Sequence, residues 1–307
     1  MFDWDAIIIG GGPAGLTAGL YLCRGRVRTL LLECESFGGK IKNLDDIENY
    51  PGYAAGVSGA RLASEMQTQA EKYGLKLELG KVAGIEIYSS SKCITCEDGR
   101  SYTASAIILA SGSHARKLNV PGEDALTGKG VFSCALCDGG EFEDKVVVVR
   151  GAGDAGVTEA LYMSKIASKV IIIAGGPALS ASSILRERAL ANPRIEVHCG
   201  TQIVSISGKT RVEAVETKDA NGKTAMLRAD GVLVHVGWIP NTDFVPGNIP
   251  LDNNGQVMVN SNMETEVPLV FAAGDVRSGS LGQVSTAVGD AAAAAITALE
   301  KLESNRD

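Results

Sequence analysis

The chain contains the same glycine loop twice, each time between an apolar strand and a helical pattern. The first copy is Gly10-Gly11-Gly12-Pro13-Ala14-Gly15, and the second is Gly151-Ala152-Gly153-Asp154-Ala155-Gly156. In such a loop the first glycine permits a tight turn, the second lets a pyrophosphate approach, and the third lets the helix pack on the strand. The pyrophosphate is held by free N–H groups at the helix N-terminus. The repeat therefore predicts two domains of similar plan.

The two copies differ where their second strand ends. These strands are predicted at Thr29–Leu32 and Val170–Ile173, and the residue 23 positions after the first glycine is Glu33 in one copy and Ala174 in the other. A carboxylate there can accept a hydrogen bond from a ribose hydroxyl, whereas a methyl group cannot. The first copy therefore predicts a bound dinucleotide. The second is interpreted as a structural relic that binds a nicotinamide nucleotide poorly, with a functional site as the open alternative.

Composition excludes several classes of partner. The 307 residues are 45% hydrophobic and 21% charged, with a net charge of −7, which argues against nucleic acid and anionic membranes. No apolar run approaches the roughly 20 residues that span a bilayer, and the N-terminus enters a strand at once, unlike a secretory signal. Seven cysteines without a small-domain disulfide spacing indicate a reducing cytoplasm and a few active thiols.

Strand and helix patterns alternate over residues 5–110 and again over 145–236. Helices are predicted at Pro13–Arg24, Gly59–Tyr73 and 283–303, and the later strands include Arg211–Thr217 and Leu269–Ala272. We expect an α/β fold with two Rossmann-like three-layer nucleotide-binding domains, the second inserted in the first. The first would comprise residues 1–113 and 241–307, and the second residues 114–240. Two chain crossings, near Gly112–Leu118 and Gly237–Thr242, would form a hinge.

A cysteine pair, Cys134-Ala135-Leu136-Cys137, lies in the inserted part. Two intervening residues let the sulfurs meet in one turn, which favours a redox couple over half a zinc site or two buried structural cysteines. Cys93 and Cys96 share the spacing but lie on a predicted strand, where alternation points them to opposite faces, so we favour a structural role. No metal site is predicted.

Two aspartates follow these motifs closely. Asp138 comes directly after the second cysteine and could move a proton during dithiol chemistry, or could equally cap a turn. Asp275 follows Gly274 at the end of an apolar strand, where a carboxylate could meet a cofactor hydroxyl or simply shape a turn.

These segments together resemble the low-molecular-weight thioredoxin reductases, the class II FAD-dependent pyridine nucleotide-disulfide oxidoreductases. The similarity covers nearly the whole chain and includes 8–18, 48–52, 110–113, 134–139, 237–242 and 271–276. It implies that Cys137 is the flavin-side sulfur, that Cys134 attacks the protein substrate, and that Asp138 is the acid/base. It also implies a homodimer and an FAD site at Gly10, Gly12, Pro13, Ala14, Gly15, Glu33, Gly39, Lys40, Asn49, Val82, Ala110, Gly112, Gly274, Asp275, Gln283 and Val284.

The departures from the family pattern concern cofactor contacts. The basic residues that hold the NADPH phosphate in the family align with Ala174, Gly175, Gly176 and Ser180. The family's Gly-Gly-Gln is Gly38-Gly39-Lys40 here, and its Arg-Gln pair is Gly282-Gln283. We therefore expect a divergent member that lacks the NADPH 2′-phosphate clamp and is similar to ferredoxin-linked or NADPH-independent members.

The sequence thus predicts a flavin-dependent disulfide reductase. Electrons would pass from FAD through the Cys134–Cys137 dithiol to a thioredoxin-like protein, with ferredoxin or another carrier as donor in place of NADPH. An ordinary NADPH- or NADH-dependent thioredoxin reductase is the alternative. A flavin redox sensor without turnover and a flavin-dependent oxidase with an idle dithiol are alternatives of other classes.

Overall fold

The computed structural model describes residues 2–43, 47, 49–89 and 91–304, except the side chains of Asn43, Leu136 and Cys137. Contacts divide the chain into two compact units, 1–114 with 239–307 and 115–238. The chain begins with the strand, helix and strand of the first glycine loop: β1 (Trp4–Ile9), α1 (Pro13–Arg24) and β2 (Thr29–Glu33). Its first part continues with α2 (Gly59–Glu71), β3 (Lys76–Leu79), β4 (Val82–Ile87), β5 (Lys92–Cys96), β6 (Ser101–Leu109) and β7 (Ser113–Ala115).

The second unit repeats this plan. Its parallel strands are β8 (Val131–Phe132), β9 (Val146–Arg150), β10 (Lys169–Ile173), β11 (Ile195–His198) and, after a meander, β15 (Gly231–Val234). The meander is β12 (Thr201–Ser207), β13 (Ala214–Asp219) and β14 (Thr224–Arg228). Its helices are α3 (Glu123–Leu126), α4 (Ala135–Asp138), α5 (Asp154–Met163) and α6 (Ser183–Ala191). The parallel order is β11-β10-β9-β15-β8.

The last part of the chain returns to the first sheet. After β16 (Trp238–Pro240), the strand β17 (Val270–Ala272) pairs in parallel with the end of β6, and α7 (Val284–Ser304) packs on α1. The parallel strands then run β3-β2-β1-β6-β17, while β5 and β4 continue the sheet from the first half of β6 in antiparallel pairing. The carboxyl ends of the parallel strands therefore share one edge.

Successive side chains of β1 point to opposite faces of the sheet and enter two separate hydrophobic cores of the first unit. Ile8 packs with residues of α1 and α7, whereas Ile7 and Ile9 pack with β4, β5 and the segment around Val257. All three isoleucines are at most 4% exposed. A strand covered on both faces needs a continuous apolar run, and this is what marks β1, β2, β9 and β10 in the sequence.

Several sequence predictions match the bounds of the observed elements. The helix Pro13–Arg24 and the strand Thr224–Arg228 have the predicted bounds, and the 219–222 turn joins two strands of a meander. The strand predicted at Arg211–Thr217 begins at Ala214 instead. Residues 208–211 form a tight turn, in which a Cβ on Gly208 would lie 1.7 Å from the Arg211 oxygen. No helix among the described residues has the length and apolarity to cross a bilayer.

A buried ion pair holds the turn at residues 274–277 to α7. Arg277 Nε donates to Asp290 Oδ2 (2.7 Å) and Arg277 Nη2 donates to Asp290 Oδ1 (2.8 Å), with side chains 16% and 9% exposed. Asp290 also accepts the Gly274 N–H (3.2 Å). One carboxylate thus fixes the turn that carries Asp275.

We expect Asp290→Ala to lower the free energy of unfolding by about 3 kcal/mol, because it leaves the Arg277 charge buried without a counter-ion. Urea denaturation monitored by circular dichroism measures this. Glu97→Gln is the matched control, since it breaks an ion pair with Lys81 in which both side chains are more than half exposed, and it should have a much smaller effect. Equal losses in the two variants would contradict this role of Asp290.

Candidate dinucleotide cradle and dithiol site

The glycines of the first loop differ in whether the surrounding chain leaves room for a side chain. Gly10 has φ +109°, and a Cβ there would lie 2.3 Å from the Ala110 oxygen, while a Cβ on Gly15 would lie 1.9 Å from the Gly10 oxygen. Both glycines are therefore required by packing within the chain. Gly12 has φ −76°, and the nearest atom to a Cβ there is 3.8 Å away. Its missing side chain leaves open space at the loop.

The open space lies at the N-terminus of α1. Gly12 is the N-cap and supplies no side-chain hydrogen bond, and Pro13 and Ala14 begin the helix. The amides of the first turn therefore face the gap with the positive end of the helix dipole. An anion such as a pyrophosphate fits this arrangement.

Glu33 ties the end of β2 to this loop. Its side chain is buried, and Oε2 accepts the Gly11 N–H (2.7 Å) while Oε1 accepts the Glu35 N–H (3.0 Å) and the Cys34 thiol (3.3 Å). Two carboxylate oxygens offer about four acceptor positions, so a position is left for a ribose hydroxyl. Partial burial and the neighbouring Glu33 carboxylate raise the pKa of Cys34 to about 11.

A second glycine turn closes over the first. A Cβ on Gly39, which has φ +59°, would lie 2.9 Å from the Gly12 Cα. The next residue, Lys40, contacts Asp275 Oδ2 (2.5 Å) and donates to Ser113 Oγ (3.0 Å), and Ser113 also donates to Asp275 Oδ2 (3.2 Å). The structure thus brings Lys40 and Asp275 together. Ser113 was missed as a site residue, although it directly follows the predicted Gly112.

The other predicted cofactor residues lie in the same unit. Asn49 Nδ2 donates to Gln283 Oε1 (3.0 Å), and Val284 begins α7 one residue later. A Cβ on Gly274 would lie 3.2 Å from the Ala14 Cβ, which places the Gly274-Asp275 turn beside α1. Ala110 donates its N–H to Ile9 (2.8 Å), and Gly112 accepts the Asn241 N–H (3.0 Å).

Val82 lies further along the same unit. It is buried at the start of β4. The preceding turn reaches the end of β2, because the Gly80 N–H donates to the backbone carbonyl oxygen of Glu33 (2.8 Å). The first glycine loop, Glu33, Lys40 and Asp275 together form the candidate dinucleotide cradle, and the Val82 backbone is near its Glu33 end.

Cys134 precedes a short helical turn in the second unit. It is the N-cap of α4, its oxygen accepts the Asp138 N–H (3.1 Å), and its sulfur is disulfide-bonded. The side chain of Cys137, the other predicted redox cysteine, lies outside the described part of the structure. Five other cysteines are free thiols: Cys23, Cys34, Cys93, Cys96 and Cys199.

The strand cysteines differ in exposure as alternation predicts, with Cys96 buried and Cys93 partly exposed. Within the described residues, no group of three or more His, Cys, Asp and Glu side chains could hold a metal ion. Neither finding suggests a second reactive pair on β5.

The second glycine loop keeps the backbone of the first. A Cβ on Gly151 would lie 2.7 Å from the His235 oxygen, whereas the nearest atom to a Cβ on Gly153 is 3.8 Å away. The side chains around it are different. Asp154, at the first position of α5, accepts the Ser182 N–H on its carboxylate (2.5 Å), and Ala174 is fully buried.

Arg150, the last residue of β9, reaches across to the end of β10. Its Nη1 donates to the Ile173 oxygen (3.3 Å), and among the described residues no carboxylate pairs with it. Burial lowers the pKa of this guanidinium. A Cβ on Gly175 would lie only 3.1 Å from Arg150 Nη2, so Arg150 occupies the space beneath residue 175.

Comparisons with known proteins cover nearly the whole chain. A family model described as pyridine nucleotide-disulphide oxidoreductase matches residues 4–291. The thioredoxin reductase of Treponema pallidum is 40% identical over 302 residues, 98% of each chain. The thioredoxin reductase structure from Streptococcus pyogenes is 38% identical with a TM-score of 0.82 and 98% of each chain covered. That from Lactococcus lactis, in the FR conformation, is 36% identical with a TM-score of 0.79, covering 98% of this chain and 100% of that one.

These similarities confirm two of the sequence predictions. The chain has an α/β fold with parallel-sheet, Rossmann-like domains, and it is an oxidoreductase.

Because the position of the missing Gly12 side chain is open, a substitution there should change cofactor affinity without disturbing the fold. We expect Gly12→Ala to fold normally, because φ −76° suits alanine and no described atom is close. If this loop holds the FAD that the sequence resemblance implies, the methyl group should nevertheless weaken FAD binding about tenfold or more, since overpacking costs about 1–3 kcal/mol. Titration of the apoprotein with FAD, followed by quenching of flavin fluorescence, gives the dissociation constant.

Gly153→Ala is the matched control, because it makes the same change in the second copy. It should leave FAD affinity unchanged. Wild-type affinity in Gly12→Ala, or equal losses in both variants, would contradict the expected FAD site at the first loop.

Proposed function

Because the chain belongs to the pyridine nucleotide-disulphide oxidoreductase family and resembles thioredoxin reductases over its whole length, we propose that it is an FAD-dependent reductase of a thioredoxin-like protein. The observation that carries this proposal is the state of its cysteines. Cys134 is disulfide-bonded at the start of a Cys-x-x-Cys turn, while the five other described cysteines outside this motif are free. This contrast is typical of one redox couple among inert thiols.

The residues of the first unit fit FAD. Gly12 and the α1 amides would receive the pyrophosphate, Glu33 a ribose hydroxyl, and the Lys40–Asp275 pair the ribityl chain. Bound FAD would supply two-electron reduction of the cysteine disulfide. Lys40 would add a positive charge beside Asp275, where the family has a glutamine.

The two cysteines would perform the exchange with the partner. The Cys134 thiolate attacks one sulfur of the partner disulfide, forms a mixed disulfide and releases the other sulfur as a thiolate. The Cys137 thiolate then attacks the Cys134 sulfur, which reforms the Cys134–Cys137 disulfide and releases the second partner sulfur. Asp138, at the end of α4, would exchange protons with the thiols as these thiolates form and leave.

The electron donor is proposed to be a carrier other than NADPH, such as a reduced ferredoxin. Residues 174–176 and 180 supply no basic side chain for a 2′-phosphate. At about 1.5–3 kcal/mol for each charged hydrogen bond, losing two or three of them weakens binding by several orders of magnitude. Asp154 also places a carboxylate at the first turn of α5, where it would repel a pyrophosphate. A conventional nicotinamide-dependent enzyme fits the similarity to thioredoxin reductases equally well, so the donor needs a direct test.

Two further properties belong to the proposal. We place the protein in the cytoplasm, where a reducing environment accounts for the free cysteines, and we expect a homodimer, as the resemblance implies. A redox sensor without turnover is less consistent with the chain, because a sensor does not require an acid at Asp138.

We expect Cys134→Ser to abolish reduction of a thioredoxin-like substrate while leaving a flavin that can still be reduced, because the attacking sulfur is lost and the cradle is untouched. Steady-state disulfide reduction and anaerobic flavin absorbance measure the two properties. Cys199→Ser removes an exposed free thiol and should keep full activity. Full activity in Cys134→Ser would refute the dithiol mechanism.

We expect anaerobic titration with reduced ferredoxin to bleach the flavin and titration with NADPH or NADH at micromolar concentration to leave it oxidised. The physical reason is the missing phosphate clamp, together with the Asp154 carboxylate at the first turn of α5. Flavin absorbance gives the result directly. Complete bleaching by micromolar NADPH would support the conventional donor and reject this part of the proposal.

A further inference from the structure

A carboxylate from a neighbouring helix is bound at the start of the cysteine turn. Glu159, on α5, accepts the Ala135 N–H on Oε2 at 2.5 Å. Ala135 is the first residue of α4 and is 1% exposed. The Ala135 nitrogen is bonded to the Cys134 carbonyl carbon. The Glu159 carboxylate therefore contacts the peptide group that joins Cys134 to Ala135.

This contact opposes the usual electrostatics of a reactive cysteine. Thiols at the start of a helical turn, or beside a cation, have a lowered pKa because N–H groups or positive charges stabilise the thiolate. The Ala135 N–H is instead donated to the Glu159 carboxylate. The carboxylate replaces a stabilising donor with a like charge, which raises a thiol pKa.

No cationic residue is part of α4, the 139–142 turn or α5, which pack together. Lys145 Nζ donates to the Glu141 backbone oxygen (2.6 Å), on the turn that follows α4. The ionisable residues of α4 besides its cysteine, of the 139–142 turn and of α5 are Asp138, Glu141, Asp154, Glu159 and Tyr162. Glu141 pairs with Arg211 (2.6 Å), and Asp154 accepts the Ser182 N–H. Glu159 places its carboxylate on the backbone N–H next to Cys134.

We propose that Glu159 is a positioning residue of the cysteine turn that holds the Ala135 amide and keeps the reduced Cys134 thiol more protonated. It therefore restrains attack by Cys134 at neutral pH. The inference rests on the proposed function, since it concerns the cysteine that this function assigns as the attacking sulfur.

Alkylation of the protein measures the effect. Holoprotein carrying Cys137→Ser, with Cys134 as a single free thiol of the pair, is treated with iodoacetamide over a pH series, and mass spectrometry follows the Cys134 peptide. Glu159→Gln keeps an oxygen acceptor for Ala135 and removes the charge. The midpoint of its pH profile should fall by about half to one unit. Alkylation at neutral pH should become about two- to threefold faster, because lower thiol basicity partly offsets the larger thiolate fraction.

Two controls separate this effect from general disturbance. Glu187→Gln removes an exposed charge on α6 and should leave the Cys134 profile unchanged, and the Cys199 peptide reports exposed thiol reactivity in each sample. An unchanged or raised Cys134 midpoint in Glu159→Gln would overturn the proposal. The readout needs neither turnover nor a partner protein, so it remains decisive if Cys134→Ser retains activity and the proposed function fails.

Discussion

The close approach of α1 to the loop after β1 determines the geometry of the first unit. The Gly15 backbone packs so tightly on Gly10 that one added carbon would overlap its oxygen. This contact aims the first turn of α1 at the open position of Gly12. Ile8, beneath the loop, is held by residues of both α1 and α7. The cradle therefore depends on a main-chain contact that side-chain changes elsewhere cannot replace.

The cradle also depends on segments that are distant in sequence. Asp290 on α7 holds both Gly274 and Arg277, and this fixes the turn in which Asp275 meets Lys40. The first glycine loop and the turn at residues 274–277 are more than 250 residues apart in the sequence, yet they contact each other at Ala14 and Gly274. A chain that folds this way cannot complete its candidate cofactor site until its last helix has docked.

The parts of the fold that could be predicted from sequence are those with one dominant physical cause. Buried parallel strands need unbroken apolar runs, and glycine loops need absent side chains, so β1, β2, β9, β10 and α1 were predictable. The edge strand β3 and the helix α6 were missed, because β3 is short and half polar and α6 buries only Ala189. Among site residues, Glu33 and Asp275 followed from strand ends. The Ser113 contact and the Glu159 cap depend on tertiary neighbours that no local pattern specifies.

The contact between Arg150 and Gly175 links two positions that look independent in the sequence. A side chain at residue 175 and the guanidinium of Arg150 compete for the same volume. Substitutions at the two positions should therefore be strongly non-additive, as expected for groups in direct contact. An arginine introduced at 175 would displace the Arg150 guanidinium, so the effect of that change depends on which residue is present at 150.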